Sequence, residues 1–134
     1  VFISYGETDD FAHGGRYDEY LKSAYRTDQF IQELWQWTQS HPAYKNKTTF
    51  LITTDHGRGT VPVDTWRSHG AEISGADQIW LAVIGPDTPP TGEQKSEGQV
   101  YQSQVAKTAA AFLGIEYTND KKVGEVVSNA SRIK

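Results

Sequence analysis

Thr48-Thr49-Phe50-Leu51-Ile52-Thr53-Thr54-Asp55-His56-Gly57 is a β-branched, aromatic run that feeds straight into two metal-binding side chains and a glycine. Such a run reads as a strand. Asp55 and His56 are adjacent, so on a straight strand they would point to opposite faces. They can share an ion only if the chain turns there, which Gly57 makes easy. Two further runs flank this stretch. Val1-Phe2-Ile3-Ser4-Tyr5 is apolar and ends at Gly6, while Ile79-Trp80-Leu81-Ala82-Val83-Ile84 stops at Gly85-Pro86. Both read as strands.

The segments between and after them carry helical spacing. In residues 17–40, Tyr17, Leu21, Ala24, Tyr25, Ile31, Leu34 and Trp35 recur at three- and four-residue steps, which predicts a helix with one apolar face. His41-Pro42 ends it, with His41 expected at the solvent-exposed stop. A proline- and glycine-bearing loop is expected over residues 87–98. Residues 99–113 read as a helix with Gly114 as its C-terminal stop, and a short helix is expected near residues 123–128. Near-continuous apolar strands alternating with helices predict an α/β fold on a parallel sheet covered on both faces. Open sheets of that kind bind ligands at the carboxyl ends of their strands. Asp9 and His13 follow the first strand, Asp55 and His56 the second, so these groups are expected to converge on one sheet edge.

The bulk properties narrow the chemistry. A chain of 134 residues, 37% hydrophobic and 22% charged, suits one soluble globular domain or about half of a larger one. It opens in mid-strand without an initiator Met, which predicts a piece of something longer. The net charge of −4, with 13 scattered Lys and Arg, argues against a nucleic-acid surface. No apolar run approaches the ~20 residues of a membrane span. With no Cys, disulfides and thiolate metal sites are excluded, and any metal is held by nitrogen and oxygen. Glu7, Asp9, Asp10, Asp18 and Glu19 form an acidic cluster that bound cations would neutralise.

Asp9 and His13 stand four residues apart, a step that turns both side chains to one side of a helical turn. Adding His69, beside Gly70, makes a two-histidine, one-carboxylate set with room for water or substrate, the usual form of a catalytic zinc site. With Asp55 and His56 the chain offers two carboxylates and three imidazoles, the composition of a two-metal hydrolytic centre. Arg58 and Arg67 flank these ligands as candidate phosphate contacts.

These residues resemble the C-terminal half of the alkaline phosphatase superfamily. The likeness lies in Gly6-Glu7-Thr8-Asp9-Asp10-Phe11-Ala12-His13, in Thr53-Thr54-Asp55-His56-Gly57, in Ser68-His69-Gly70 and in Ala110-Ala111-Phe112-Leu113-Gly114-Ile115. It covers nearly the whole chain, and implies an alkaline-phosphatase-like parallel-sheet sandwich present as a C-terminal partial domain. It implies a first divalent metal on Asp9, His13 and His69, and a second on Asp55 and His56. Zinc fits a nitrogen-rich site, and manganese accepts the same ligand mix. The implied activity is hydrolysis of phosphate mono- or diesters of small substrates through a covalent phospho-enzyme. The nucleophile and a third ligand of the second metal are expected upstream, so these residues alone are expected to be inactive. A cofactor-independent phosphoglycerate mutase-like phosphomutase, a sulfatase-like member and a non-catalytic metal-binding member are the alternatives. The resemblance and the lack of Cys together favour a periplasmic or extracellular setting.

Overall fold

The computed structural model describes residues 1–95 and 98–131. In chain order these form α1 (Glu7–His13), α2 (Tyr17–Ser40), β1 (Phe50–Thr53), a 3-10 turn (Val63–Arg67), β2 (Leu81–Ile84), a second 3-10 turn (Gln102–Gln104) and α3 (Val105–Phe112). They divide into two compact units, Val1–Lys45 with Thr54–Trp80, and Asn46–Thr53 with Leu81–Lys134.

In the first unit α1 packs on α2. Ala12 of α1 is wholly buried, and Ser23 and Thr38 are the buried points of α2. Helix α2 has the bounds that its spacing predicts, but it buries a different face. Ile31, Leu34 and Trp35 are half-buried in line with Tyr20, Ser23, Thr27 and Thr38, whereas Tyr17, Leu21, Ala24 and Tyr25 are exposed. Thr38 belongs on a buried face because its hydroxyl donates to the Trp35 carbonyl oxygen at 2.8 Å and so enters without an unpaired polar group. Asp18 and Glu19 pair with Lys22, so part of the acidic cluster is balanced within one helical turn. No helix among the described residues is long and apolar enough to cross a membrane.

In the second unit β1 and β2 form a two-stranded antiparallel sheet, with Phe50 opposite Ile84, Leu51 opposite Val83, Ile52 opposite Ala82 and Thr53 opposite Leu81. This overturns the expected α/β parallel-sheet sandwich. Apolar composition was read as burial on both faces, yet β1 is only half-buried throughout and Ile84 of β2 is exposed. Composition carries no strand direction. A parallel pair usually needs a helical crossover, and residues 54–80 contain only a 3-10 turn. The expected strand at residues 1–5 is also absent: β1 and β2 pair only with each other, and Val1, Phe2 and Ile3 are exposed.

Helix α3 ends where its glycine predicts. Gly114 has φ +65°, its N–H reaches the Ala111 carbonyl, and the Ile115 N–H reaches Ala110. This is the paired hydrogen bonding of a glycine-terminated helix. The wholly buried Thr108 accepts from the Val127 N–H at 3.0 Å and donates to the Gln104 carbonyl at 2.7 Å. The chain near Val127 is thus tied to α3 without regular secondary structure, where a short helix was expected.

The burial pattern of α2 sets a test. Ser23→Leu, which forces a larger side chain into a site only 2% exposed, is expected to lower stability by about 1–3 kcal/mol in urea unfolding. Leu21→Lys on the exposed face should stay within about 0.5 kcal/mol of the parent. The reverse ranking would show that α2 buries the other face.

Candidate metal centre

All the site residues belong to the first unit. Asp9 and His13 lie in α1, one helical turn apart, and their side chains meet with His13 Nε2 3.3 Å from Asp9 Oδ1. The helix is held short by Gly15. At φ +67° its N–H bonds to the Ala12 carbonyl while the Arg16 N–H bonds to Phe11, and the chain reverses into α2. Glu7 then ties α1 across to α2, accepting from Ser23 Oγ at 3.4 Å and from Arg26 Nη1 at 3.3 Å.

Residues 54–80 bring the other ligands in. Three backbone bonds fold this segment on itself: Gly57 N–H to Ala76 O at 2.8 Å, Gly59 N–H to Ser68 O at 3.1 Å, and Thr60 N–H to Ser74 O at 2.9 Å. The glycines matter here for proximity. A Cβ at Gly57 would lie 2.4 Å from the Gln78 carbonyl oxygen, so a side chain is sterically barred. The bond from Gly59 to Ser68 bridges the two stretches, with His69 next to Ser68 and His56 three residues before Gly59, and the two imidazoles lie against one another. Their rings stack at 3.7 Å with planes 14° apart. The 3-10 turn is anchored by Trp66, whose ring meets Tyr17 edge-on at 5.1 Å and Tyr20 at 5.9 Å.

The result is a cluster centred on one oxygen. Asp9 Oδ1 lies 3.3 Å from His13 Nε2, 3.4 Å from His69 Nε2 and 3.7 Å from His56 Nε2, and it accepts a hydrogen bond from Arg58 Nη2. Donors of a tetrahedral zinc ion, each bonded at about 2.0–2.1 Å, stand roughly 3.3–3.4 Å apart. The distances from Asp9 Oδ1 to the three imidazoles are near that value, although His13 is not in the group whose ligand atoms all lie close to one another. Asp9, His56 and His69 each offer a ligand atom within 4.8 Å of the others. His56 is also oriented as a ligand should be. Its Nδ1 lies 3.0 Å from the Gly57 carbonyl oxygen, so Nδ1 carries the proton of that bond. Nε2 is thereby left to bind a cation. It faces carboxylate oxygens of both Asp9 and Asp55 at 3.7 Å, and without an intervening proton or metal ion its lone pair would oppose theirs.

His56, expected with Asp55 on a second metal, has its Nε2 3.7 Å from both Asp55 Oδ1 and Asp9 Oδ1. Asp55 stays at the solvent side, its side chain 85% exposed and accepting from the His56 backbone N–H at 3.0 Å. Arg67 is exposed and donates from Nη2 to the His13 carbonyl oxygen at 3.5 Å, with its guanidinium over Gly15. Arg58, expected as a phosphate contact, is turned inward onto Asp9. The expected convergence is achieved by a helix and two loops, where strand ends of a parallel sheet were predicted. The sequence reading missed the pairing of Arg58 with Asp9, which stand 49 residues apart. No local spacing signals a partner at that distance.

Partial burial works against the charged form of Asp9, but the charge and hydrogen bond of Arg58, with smaller help from His13 and His69, outweigh it and hold the carboxyl below its ordinary value. A carboxyl with a depressed pKa in the folded state contributes stability that is fully present above its ordinary value, and loses it as pH falls through the folded one. Comparison with models of known protein families, with curated proteins and with solved structures finds no match for this chain.

Two outcomes are expected. In metal-free protein, Asp9→Asn should flatten the loss of stability as pH drops below about 3.8, measured by urea unfolding across pH 2–7. An unchanged acid limb would remove Asp9 from that role. Gly57→Ala should destabilise by about 1–3 kcal/mol. Gly6→Ala, where a Cβ meets nothing within 4 Å, should cost about 0.5 kcal/mol or less.

Proposed function

We propose that this chain is the metal-ligand-bearing part of a divalent-metal-dependent phosphoesterase related to the alkaline phosphatase superfamily. The observation that carries the proposal is the set of three imidazole Nε2 atoms 3.3–3.7 Å from one carboxylate oxygen, with those of His56 and His69 grouped with it inside 4.8 Å. Asp9, His56 and His69 would hold the ion, with His13 beside Asp9 as a neighbouring donor. Nitrogen-rich ligands suit zinc, and manganese accepts the same set. Such an ion supplies Lewis-acid polarisation of a phosphoryl oxygen when bound.

The chain's own residues do the holding and orienting. The Gly57 carbonyl sets the His56 ring, and α1 sets Asp9 against His13. Arg67, exposed beside His13, would meet a phosphate of a small substrate. With His56 on the first ion, a second ion would take Asp55 together with donors from outside these residues, and the nucleophile would also come from outside them. Support comes from the ligand set and not from the sheet, whose antiparallel pairing is unlike the core that the resemblance implied.

The test is calorimetric titration of the purified chain with zinc and with manganese. One tight equivalent is expected. Asp9→Asn, His13→Ala and His69→Ala should each weaken binding by roughly 100-fold or more, since loss of even an outer-shell partner costs 10–100-fold. His41→Ala should bind like the parent, because its ring is engaged with the Trp37 carbonyl at the end of α2. Equal affinity in all four variants would sink the ligand assignment. Phosphorus NMR with inorganic phosphate then separates function from mere metal holding. Phosphate bound only by the metal-loaded chain supports a phosphoesterase, and no phosphate binding supports a non-catalytic metal-binding role.

A further inference from the structure

Arg58 stands where a metal ion should compete. Its Nη2 donates to Asp9 Oδ1, the same oxygen that the three histidine Nε2 atoms surround. Its side chain is only 15% exposed, and Nη1 is buried with no hydrogen-bond partner among the described residues. A guanidinium with one arm on the ligand oxygen and the other unsatisfied is poorly served by protein groups alone. From these facts we infer that Arg58 is the built-in counter-cation of the metal-free centre, and that a divalent ion must displace it from Asp9 to bind. The inference rests on the metal-centre proposal above.

Electrostatics gives the reason. Three imidazoles and one guanidinium crowd a single carboxylate, and in the absence of metal the guanidinium is the one permanent positive charge on it. An ion about 2 Å from Oδ1 would stand a few ångströms from the guanidinium, and a divalent charge repels a monovalent one strongly at that range. Displacement relieves this repulsion and frees both arms of Arg58. Metal affinity is therefore set by a competition between two cations for one oxygen. The rival role is a supporting one, in which Arg58 keeps its bond to Asp9 while the metal binds and orients the carboxylate for it. The two roles give opposite signs when the charge is removed.

Zinc titration of the parent, Arg58→Gln and Arg58→Lys by calorimetry tests this, with circular dichroism as a check on folding. Displacement predicts that Arg58→Gln binds zinc about tenfold tighter or more than the parent, while Arg58→Lys, which keeps the charge, stays near the parent. Equal or weaker binding by a folded Arg58→Gln overturns the inference and favours the supporting role. A second readout needs no variant. The side-chain Nε–Hε resonance of Arg58 in nitrogen-15-labelled parent should move on saturation with zinc, and a resonance unchanged at saturation overturns displacement even if Arg58→Gln does not fold. Failure of the metal-centre proposal looks different: neither the parent nor Arg58→Gln then binds zinc, and both ideas fall together.

Discussion

One carboxylate organises this protein's candidate site. Asp9 Oδ1 is approached by His13 from its own helix, by His56 and His69 from a distant segment, and by Arg58. Arg58 brings a permanent positive charge to this group, and the Asp9 carboxylate is the negative charge that balances it. Because the carboxylate is only partly buried, its pairing is screened by solvent and adds modestly to stability. Its larger effect is on geometry, since three imidazole Nε2 atoms lie within 3.7 Å of its one oxygen.

That geometry is enforced by backbone rather than by a large apolar core. The buried apolar side chains among the described residues are alanines, and the buried polar ones are small hydroxyls. Precision comes instead from close main-chain approach. Gly57 and Gly59 let residues 55–60 lie directly against residues 65–78, at distances that a Cβ would close. Gly15 turns α1 back so that its roughly two turns present Asp9 and His13 together. Trp66 packs edge-on to Tyr17 and Tyr20, fixing the turn that leads to His69. Ligands carried on short elements pinned in this way are positioned by hydrogen-bond direction, which is more specific than hydrophobic contact.

Local features were legible in the residues, and long-range ones were not. The bounds of α2 follow from its apolar spacing and from His41-Pro42, and the end of α3 follows from Gly114, because both depend on neighbours within one or two turns. The face that α2 buries did not follow. Leu21 is as apolar as Ile31 and Leu34, and only the packing of α1 beside Ser23 selects between their faces. The β1–β2 pairing was misread for a related reason. Phe50, Leu51 and Ile52 suit either strand direction, and direction depends on how residues 54–80 return, which no local pattern encodes.

By itself the sequence determined the ligand chemistry: with no Cys and with Asp9, His13, Asp55, His56 and His69 at hand, a metal could be met only by oxygen and imidazole nitrogen. It also determined that Asp9 and His13 share a face, because a four-residue step is one helical turn whatever surrounds it. Tertiary structure alone decided that His56 faces Asp9 as well as its neighbour Asp55, and that Arg58 turns inward onto the same oxygen. Sequence adjacency fixes two residues on one chain but not the direction of their side chains. That direction was set by the Gly57 carbonyl and by the main-chain bonds from Gly57 and Gly59, whose partners lie 19 and nine residues further along the chain.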